Sequence, residues 1–394
     1  MPLDLTHISR QIEQLSAGAA GKRYQQDLEM ARELLRVTDP EQLRAKYQER
    51  RRRRDKIPWL EAYVPSTLTG AFDCPPLPRD FGVAAADGSS IPPDRHSPVR
   101  FCAINIGCVW LQYGSQPDAQ MSTSARLYDA DALQLTGDDG DYTERELEGS
   151  ALEAKRAVDE LCALWDVCQG RDLPLAALSD GQLTLWPLEG EPLNIRRQLL
   201  APFFGALDRF REARIPVAAY ISHPSSRYVV NALRTFVCQD TPIHCTQCRC
   251  LPDLRMKSLA LKRLRDYQLL NFLAPGQRSE VFEIERPILK DYGAHTIQFF
   301  YLNSGDEIAC IEAPQWVMRD AELLNRTHAI IYDQCRRSGV YPPYPPVLQE
   351  AHEQAVIPTG DRRVVEQMVE EALQQQGIVY MRGAKDHSKR MRVV

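Results

Sequence analysis

What this sequence lacks narrows its function before any motif is read. No apolar run approaches the ~20 residues needed to cross a bilayer. The start, Met1-Pro2-Leu3-Asp4, has neither the basic residues nor the apolar core of a secretory signal. The expectation is a cytoplasmic protein without membrane contact. Surplus positive charge is also missing. Lys and Arg number 48 against 53 Asp and Glu, a formal net charge of −5, so any attraction to nucleic acid must come from a local basic surface. Eleven cysteines scattered through 394 residues do not form a disulfide framework, and reduced thiols are the default. There is no solenoid repeat. No Gly-rich loop followed by Lys-Ser/Thr is present either, which argues against a phosphohydrolase that cradles a nucleotide.

What is present is organised around Phe81-Gly82-Val83-Ala84-Ala85-Ala86-Asp87-Gly88-Ser89-Ser90. A run of small and β-branched apolar residues reads as a buried strand, and the glycine after Asp87 is expected to break it. The construction recurs at Leu175-Ala176-Ala177-Leu178-Ser179-Asp180-Gly181. An Asp-Gly pair is by itself a common turn. Two buried strands each ending in one would set two carboxylates side by side, as a pair of divalent metal ions requires.

The rest of the chain is read around these strands. Residues 1–62 form a helical extension, with Ile8, Ile12, Leu15 and then Leu28, Ala31, Leu34 and Leu35 at helical spacing. Its run Arg50-Arg51-Arg52-Arg53-Arg54 is either a solvated helix face or a phosphate-contacting stripe. Residues 63–394 form the main domain. Val99 to Gly114 reads as a strand pair, and Gly137 to Asp141 as an acidic surface turn. Thr143 to Cys168 reads as a long helix whose carboxylate candidates are Glu148, Glu153 and Glu160. A helix over Ile195–Arg214 and a strand over Val217–Ile221 continue a βαβ rhythm, so the fold class is α/β, a sheet with helices packed on it. Cys238, Cys245, Cys248 and Cys250 cluster without a familiar zinc-ribbon spacing, and metal binding there stays open. A basic helix is expected from Leu254 to Phe272, and strands Thr296–Leu302 and Glu307–Glu312 form a hairpin. Tyr341-Pro342-Pro343-Tyr344-Pro345-Pro346 cannot be helix or central strand, and it leads into a helix carrying His352. A last helix spans Asp361–Gln376, before a basic tail with Lys389 and Arg390. Carboxylates with one neutral imidazole suit magnesium or manganese, and a ribonuclease-H-like sheet gathers such acids at one edge.

Six segments taken together resemble the NurA nuclease family. They are Ala85-Ala86-Asp87-Gly88-Ser89, Leu178-Ser179-Asp180-Gly181-Gln182-Leu183, Ala219-Tyr220-Ile221-Ser222, Gly276-Gln277-Arg278-Ser279, Ile311-Glu312-Ala313-Pro314 and Tyr344-Pro345-Pro346-Val347-Leu348-Gln349-Glu350-Ala351-His352. The resemblance implies a ribonuclease-H-like mixed sheet flanked by helices, carried by residues 63–394. It implies a manganese-dependent DNA nuclease, with magnesium as the alternative ion. Its implied type is a single-strand endonuclease and 5′–3′ exonuclease, a homodimer working with a HerA-like hexameric translocase in double-strand-break repair. Asp87, Asp180 and His352 match the family's metal ligands and Tyr344 its tyrosine. The helix glutamate fits best at Glu160, within Arg156-Ala157-Val158-Asp159-Glu160-Leu161, and Glu153 is the alternative. One departure is Cys310, where a basic residue is expected. The competing reading is a catalytically weak, nuclease-like subunit that guides DNA for a translocase.

Overall fold

A computed structural model of the chain describes residues 4–378, apart from residues 6–7, 13–18, 54–56, 58, 64–65, 95–96, 98, 129–133, 136–144, 240–249 and 340. Leu15, Arg54, the acidic turn at 137–141, Cys245, Cys248 and the basic tail therefore lie outside the described residues.

The first strand, β1 (Phe81–Ile91), is buried on both faces over its first half. A strand of this kind reads as a nearly continuous apolar run because helices cover both sides of it. It pairs antiparallel with β2 (Cys102–Tyr113), which pairs antiparallel with β3 (Asp118–Tyr128). On its other side β1 runs parallel to β4 (Leu175–Asp180), and β4 runs parallel to β5 (Val217–Ile221). The order β3-β2-β1-β4-β5, an antiparallel meander followed by parallel strands, is that of a ribonuclease-H-like sheet. Two further strands, β6 (Ile297–Asn303) and β7 (Ile308–Pro314), form the expected hairpin, and β7 joins β5 antiparallel. Short strands at Phe282–Ile284 and Ala62–Tyr63 extend that side.

Helices cover both faces. One face carries α1 (Ala19–Val37), α2 (Pro40–Arg53), α3 (Gly149–Cys168), α4 (Leu193–Glu212), α5 (Tyr228–Val237) and α6 (Pro252–Lys262). The other carries α7 (Ala321–Arg337) and α8 (Pro346–Ala355), and α9 (Thr359–Gln375) follows without a buried residue. In α3 the buried set Ala151, Leu152, Ala154, Val158, Leu161 and Leu164 recurs every three or four residues, which lays one stripe on the sheet.

Several expectations are corrected. Gly88 does not end β1, which runs on to Ile91 against β2. The Val99–Gly114 segment is one long strand whose partner, β3, is exposed along nearly its whole length. Helix α3 begins at Gly149 rather than Thr143, because residues 145–146 are in a short strand. The basic helix stops at Lys262, and Asp266–Leu269 is a separate turn of helix. The N-terminal helices are tied closely to the rest. Leu28, Ala31, Leu35 and Leu43 join the main core. Arg263 grips Asp27 through two hydrogen bonds of 2.7 and 2.8 Å, and Lys46 donates to the backbone carbonyls of Phe236 and Cys238 at the end of α5. The arginine run is engaged in ion pairs. Arg50 meets Glu61, Arg51 meets Glu285, and Arg52 and Arg53 meet Glu49.

Candidate metal centre

The site forms where β4 stops and β1 does not. Ala86 pairs with Ser179 in the parallel ladder, so Asp87 and Asp180 come next on neighbouring strands and point to the same face. Here β4 ends, with Gly181 at φ 87°, a left-handed conformation that glycine takes at no steric cost. Beyond it, the edge of β1 is open.

Each acid is held differently. Asp87 accepts from the Gly88 N–H at 2.8 Å through one oxygen and meets His352 Nδ1 at 2.7 Å through the other. Asp180, at the strand end, is open to solvent on one side, while its carboxyl is enclosed enough by its neighbours to be desolvated and accepts a hydrogen bond from Tyr344. Burial and the Asp87 charge raise the Asp180 pKa, against the pull of Tyr344, the Gly181 N–H and His352. Burial beside Asp180 also pushes the Tyr344 hydroxyl up, which keeps it a proton donor.

Glu160 reaches the cluster from the opposite face. Helix α3 lies so close to β1 that a Cβ on Gly88 would sit 2.5 Å from Glu160 Oε1. The glycine is therefore required for this approach and not for a turn. Glu160 is 8% exposed and its Oε1 has no hydrogen-bond partner. Arg156, one helical turn back, stands 3.4 Å from that oxygen and donates to the Gly88 carbonyl at 3.0 Å. Burial, with the charges of Asp87, Asp180 and Asp159, pushes Glu160 up to about 8, while Arg156 opposes the shift. Glu153, the alternative, is exposed.

His352 arrives on α8, and two residues that sequence reasoning passed over bring it down. Gly107 pairs with Asp87 across the β1–β2 ladder, and a Cβ there would lie 2.5 Å from the backbone of Ala351 and Ala355. Asn105, two residues earlier, donates to the carbonyls of Ala355 and Gln354 at 2.9 and 3.3 Å, where the helix leaves orphan acceptors. An isolated glycine within an apolar strand is a signal of close backbone approach, and it was available at Gly107.

The donor set fits a hard divalent cation. It comprises three carboxylates, one with a buried oxygen lacking a partner, and an imidazole whose Nδ1 is engaged by a carboxylate, leaving Nε2 for an ion or substrate. Among the described residues no three His, Cys, Asp or Glu side chains are already closed into a cage. Away from this site, Cys238 and Cys250 lie 3.5 Å apart, sulfur to sulfur, beside Lys46. Among the described residues no helix is long and apolar enough to cross a membrane.

Comparisons with known proteins bear on this geometry. A comparison with curated protein sequences finds no match. Among solved structures the chain is similar to LC9-RNase H1, a type 1 ribonuclease H with the type 2 active-site motif. Identity is 10% and the TM-score 0.22, over 40% of this chain and 71% of that one. That likeness is distant, and the fold rests on the strand order given above. The family model for the NurA domain matches residues 81–357, a span that runs from the first residue of β1 to just beyond α8 and takes in Asp87, Glu160, Asp180, Tyr344 and His352. The chain belongs to the NurA family of metal-dependent nucleases.

Proposed function

We propose that this protein hydrolyses DNA phosphodiester bonds with manganese held by Asp87, Glu160, Asp180 and His352, magnesium being the alternative ion. The observation that supports the reading is that Asp87 and Asp180 leave neighbouring strands on one face, His352 meets Asp87 there, and Glu160 packs against Gly88 from the other face. A bound ion would supply a hydroxide from its water and neutralise charge on the phosphate. The protein's own part is positioning. His352 and the Gly88 N–H fix both oxygens of Asp87. Tyr344 orients Asp180 and, as a protonated hydroxyl, is a donor beside the reacting phosphate. Arg156 braces Glu160 and ties α3 to β1. Membership of the family supports single-strand endonuclease and 5′–3′ exonuclease action, a homodimer, and work with a HerA-like hexameric translocase in end resection.

The test is digestion of end-labelled single- and double-stranded DNA with manganese, comparing wild type with Asp87→Ala and Asp180→Ala. Both variants are expected to stay folded by circular dichroism and to lose cleavage. Manganese-dependent cleavage near the wild-type rate in either would overturn the acid assignment. A wild-type protein that binds DNA without cutting it would favour the DNA-guiding subunit instead.

A further inference from the structure

The nuclease reading leaves the rim beyond Asp180 unused. Strand β5 lies beside β4, with Tyr220 opposite Asp180, and the Gly181 N–H donates to the Tyr220 carbonyl at 3.3 Å. Contacts lead onward from the acid. Tyr344, bonded to Asp180, meets the Tyr220 ring edge-on at 5.6 Å. The Tyr220 hydroxyl donates to Glu307 Oε1 at 2.6 Å. The second oxygen of Glu307 accepts the Ser222 hydroxyl at 2.9 Å and the His223 N–H at 3.2 Å.

Glu307 is 6% exposed, so a buried carboxylate is devoted to shaping the turn after β5. That turn holds His223 at φ 44°, a left-handed conformation that a residue with a Cβ keeps only when its surroundings impose it. The imidazole itself is 68% exposed, with its Nε2 4.0 Å from Glu307 Oε2 and its ring set edge-on to Tyr267, ring centres 6.0 Å apart. Tyr267 is itself fixed, because its neighbour Asp266 is fully buried and bonded to the Val230 N–H and the Tyr301 hydroxyl. Rigid, buried groups thus hold an exposed imidazole at the end of the sheet, where it adds little to the core.

We propose that His223 binds the substrate strand, its imidazole N–H donating to a phosphodiester that flanks the one at Asp87 and Asp180, with Glu307 as its positioning residue. The reach suits that assignment. Tyr220 is one strand, about 4.8 Å, from Asp180. His223 lies three residues further along, at most on the order of 10 Å away because the chain turns there. It therefore misses the phosphate at the acids and meets a neighbour. This inference rests on the nuclease reading of the same rim, and its test is read without cleavage.

His223→Gly is the informative variant, because glycine takes the left-handed conformation freely and the fold is not strained by it. His223→Asn keeps a donor and tolerates that conformation. Binding of a short single-stranded oligonucleotide is measured by fluorescence anisotropy in a chelator. His223→Gly is expected to weaken binding about tenfold, with no fall in Tm, as loss of one hydrogen bond to a charged group implies. His223→Asn should weaken it less. Oligonucleotides carrying one neutral methylphosphonate, moved position by position, should show wild type most sensitive at one flanking phosphate, and His223→Gly should lose that sensitivity. In cleavage assays KM should rise with kcat unchanged. Wild-type affinity in His223→Gly, a persisting position dependence, or a fall in kcat at constant KM would each overturn the assignment. Active Asp87→Ala protein alongside these binding results would remove the acid assignment and leave the His223 contact standing.

Discussion

Two glutamates are buried on the same face of this sheet, and their surroundings treat them in opposite ways. Glu160 is surrounded by the charges of Asp87, Asp180 and Asp159 and has an oxygen without a partner, and it is pushed up to about 8. Glu312, in β7, is 5% exposed and is pushed up to about 7, also by burial. Its carboxylate accepts from the Leu183 and Thr184 N–H groups at 3.0 and 3.4 Å, and Arg286 adds to the pull downward. Glu312 is thus a strut beneath the loop that follows Asp180. Glu160 has no such backbone donors, and its Oε1 faces only Arg156, 3.4 Å away and too long for a hydrogen bond.

The comparison breaks most visibly at Glu160. Glu160→Gln is expected to abolish cleavage while leaving the Tm of metal-free protein nearly unchanged at pH 7 and raising it above pH 8, where the buried carboxyl would otherwise have to ionise. Gly88→Ala should reproduce the loss of cleavage by driving a Cβ into Oε1. Retained activity in both, measured on labelled DNA, would move Glu160 into the class of Glu312. The reverse pattern is expected at the strut. Glu312→Ala leaves two buried N–H groups unpaired and should cost roughly 2–4 kcal/mol in urea unfolding, with activity falling only as far as the loop moves.

A smaller effect sharpens the contrast through pH. Folded Glu312 keeps its proton up to about 7, whereas in the unfolded chain it ionises near the ordinary glutamate value. Between those limits the folded state binds more protons, so metal-free protein should lose stability as pH rises through this window. Glu312→Gln should flatten that part of the profile, and an unchanged slope would mean that the carboxyl is already ionised. The smallest effect is expected at the arginine run. Because Arg51, Arg52 and Arg53 already face Glu285 and Glu49, replacing them with glutamine should leave the salt slope of DNA binding nearly unchanged. A drop of about 0.9 per residue on duplex DNA would restore the phosphate-contact reading.

The sequence made the two aspartates legible because each follows a run of small apolar residues, a pattern set by burial on both faces. It misled about the glycines. Asp-Gly ends β4 as expected, but in β1 the same pair sits within a continuing strand, and Gly88 is there for a carboxylate 72 positions away. No local pattern carries that information. Strand β3 went unread although Ala119, Met121, Ala125 and Leu127 alternate with polar residues, because both its faces are exposed and the alternation marks no buried side. Gly107 and Asn105 act on a helix some 250 residues downstream, so their meaning appears only after folding. The arginine run was ambiguous because its carboxylate partners include Glu61 and Glu285, which no helical spacing connects to it.

The contact between His352 and Asp87 joins residues 265 positions apart. At ribosomal speeds of 5–20 residues per second, that separation is roughly ten seconds to a minute of synthesis. Through that interval the first strand can pair with its neighbours while Asp87 still waits for the imidazole. The delay belongs to the order of the chain itself, and in a nascent protein Asp87 cannot meet His352 before α8 has emerged and settled onto Gly107.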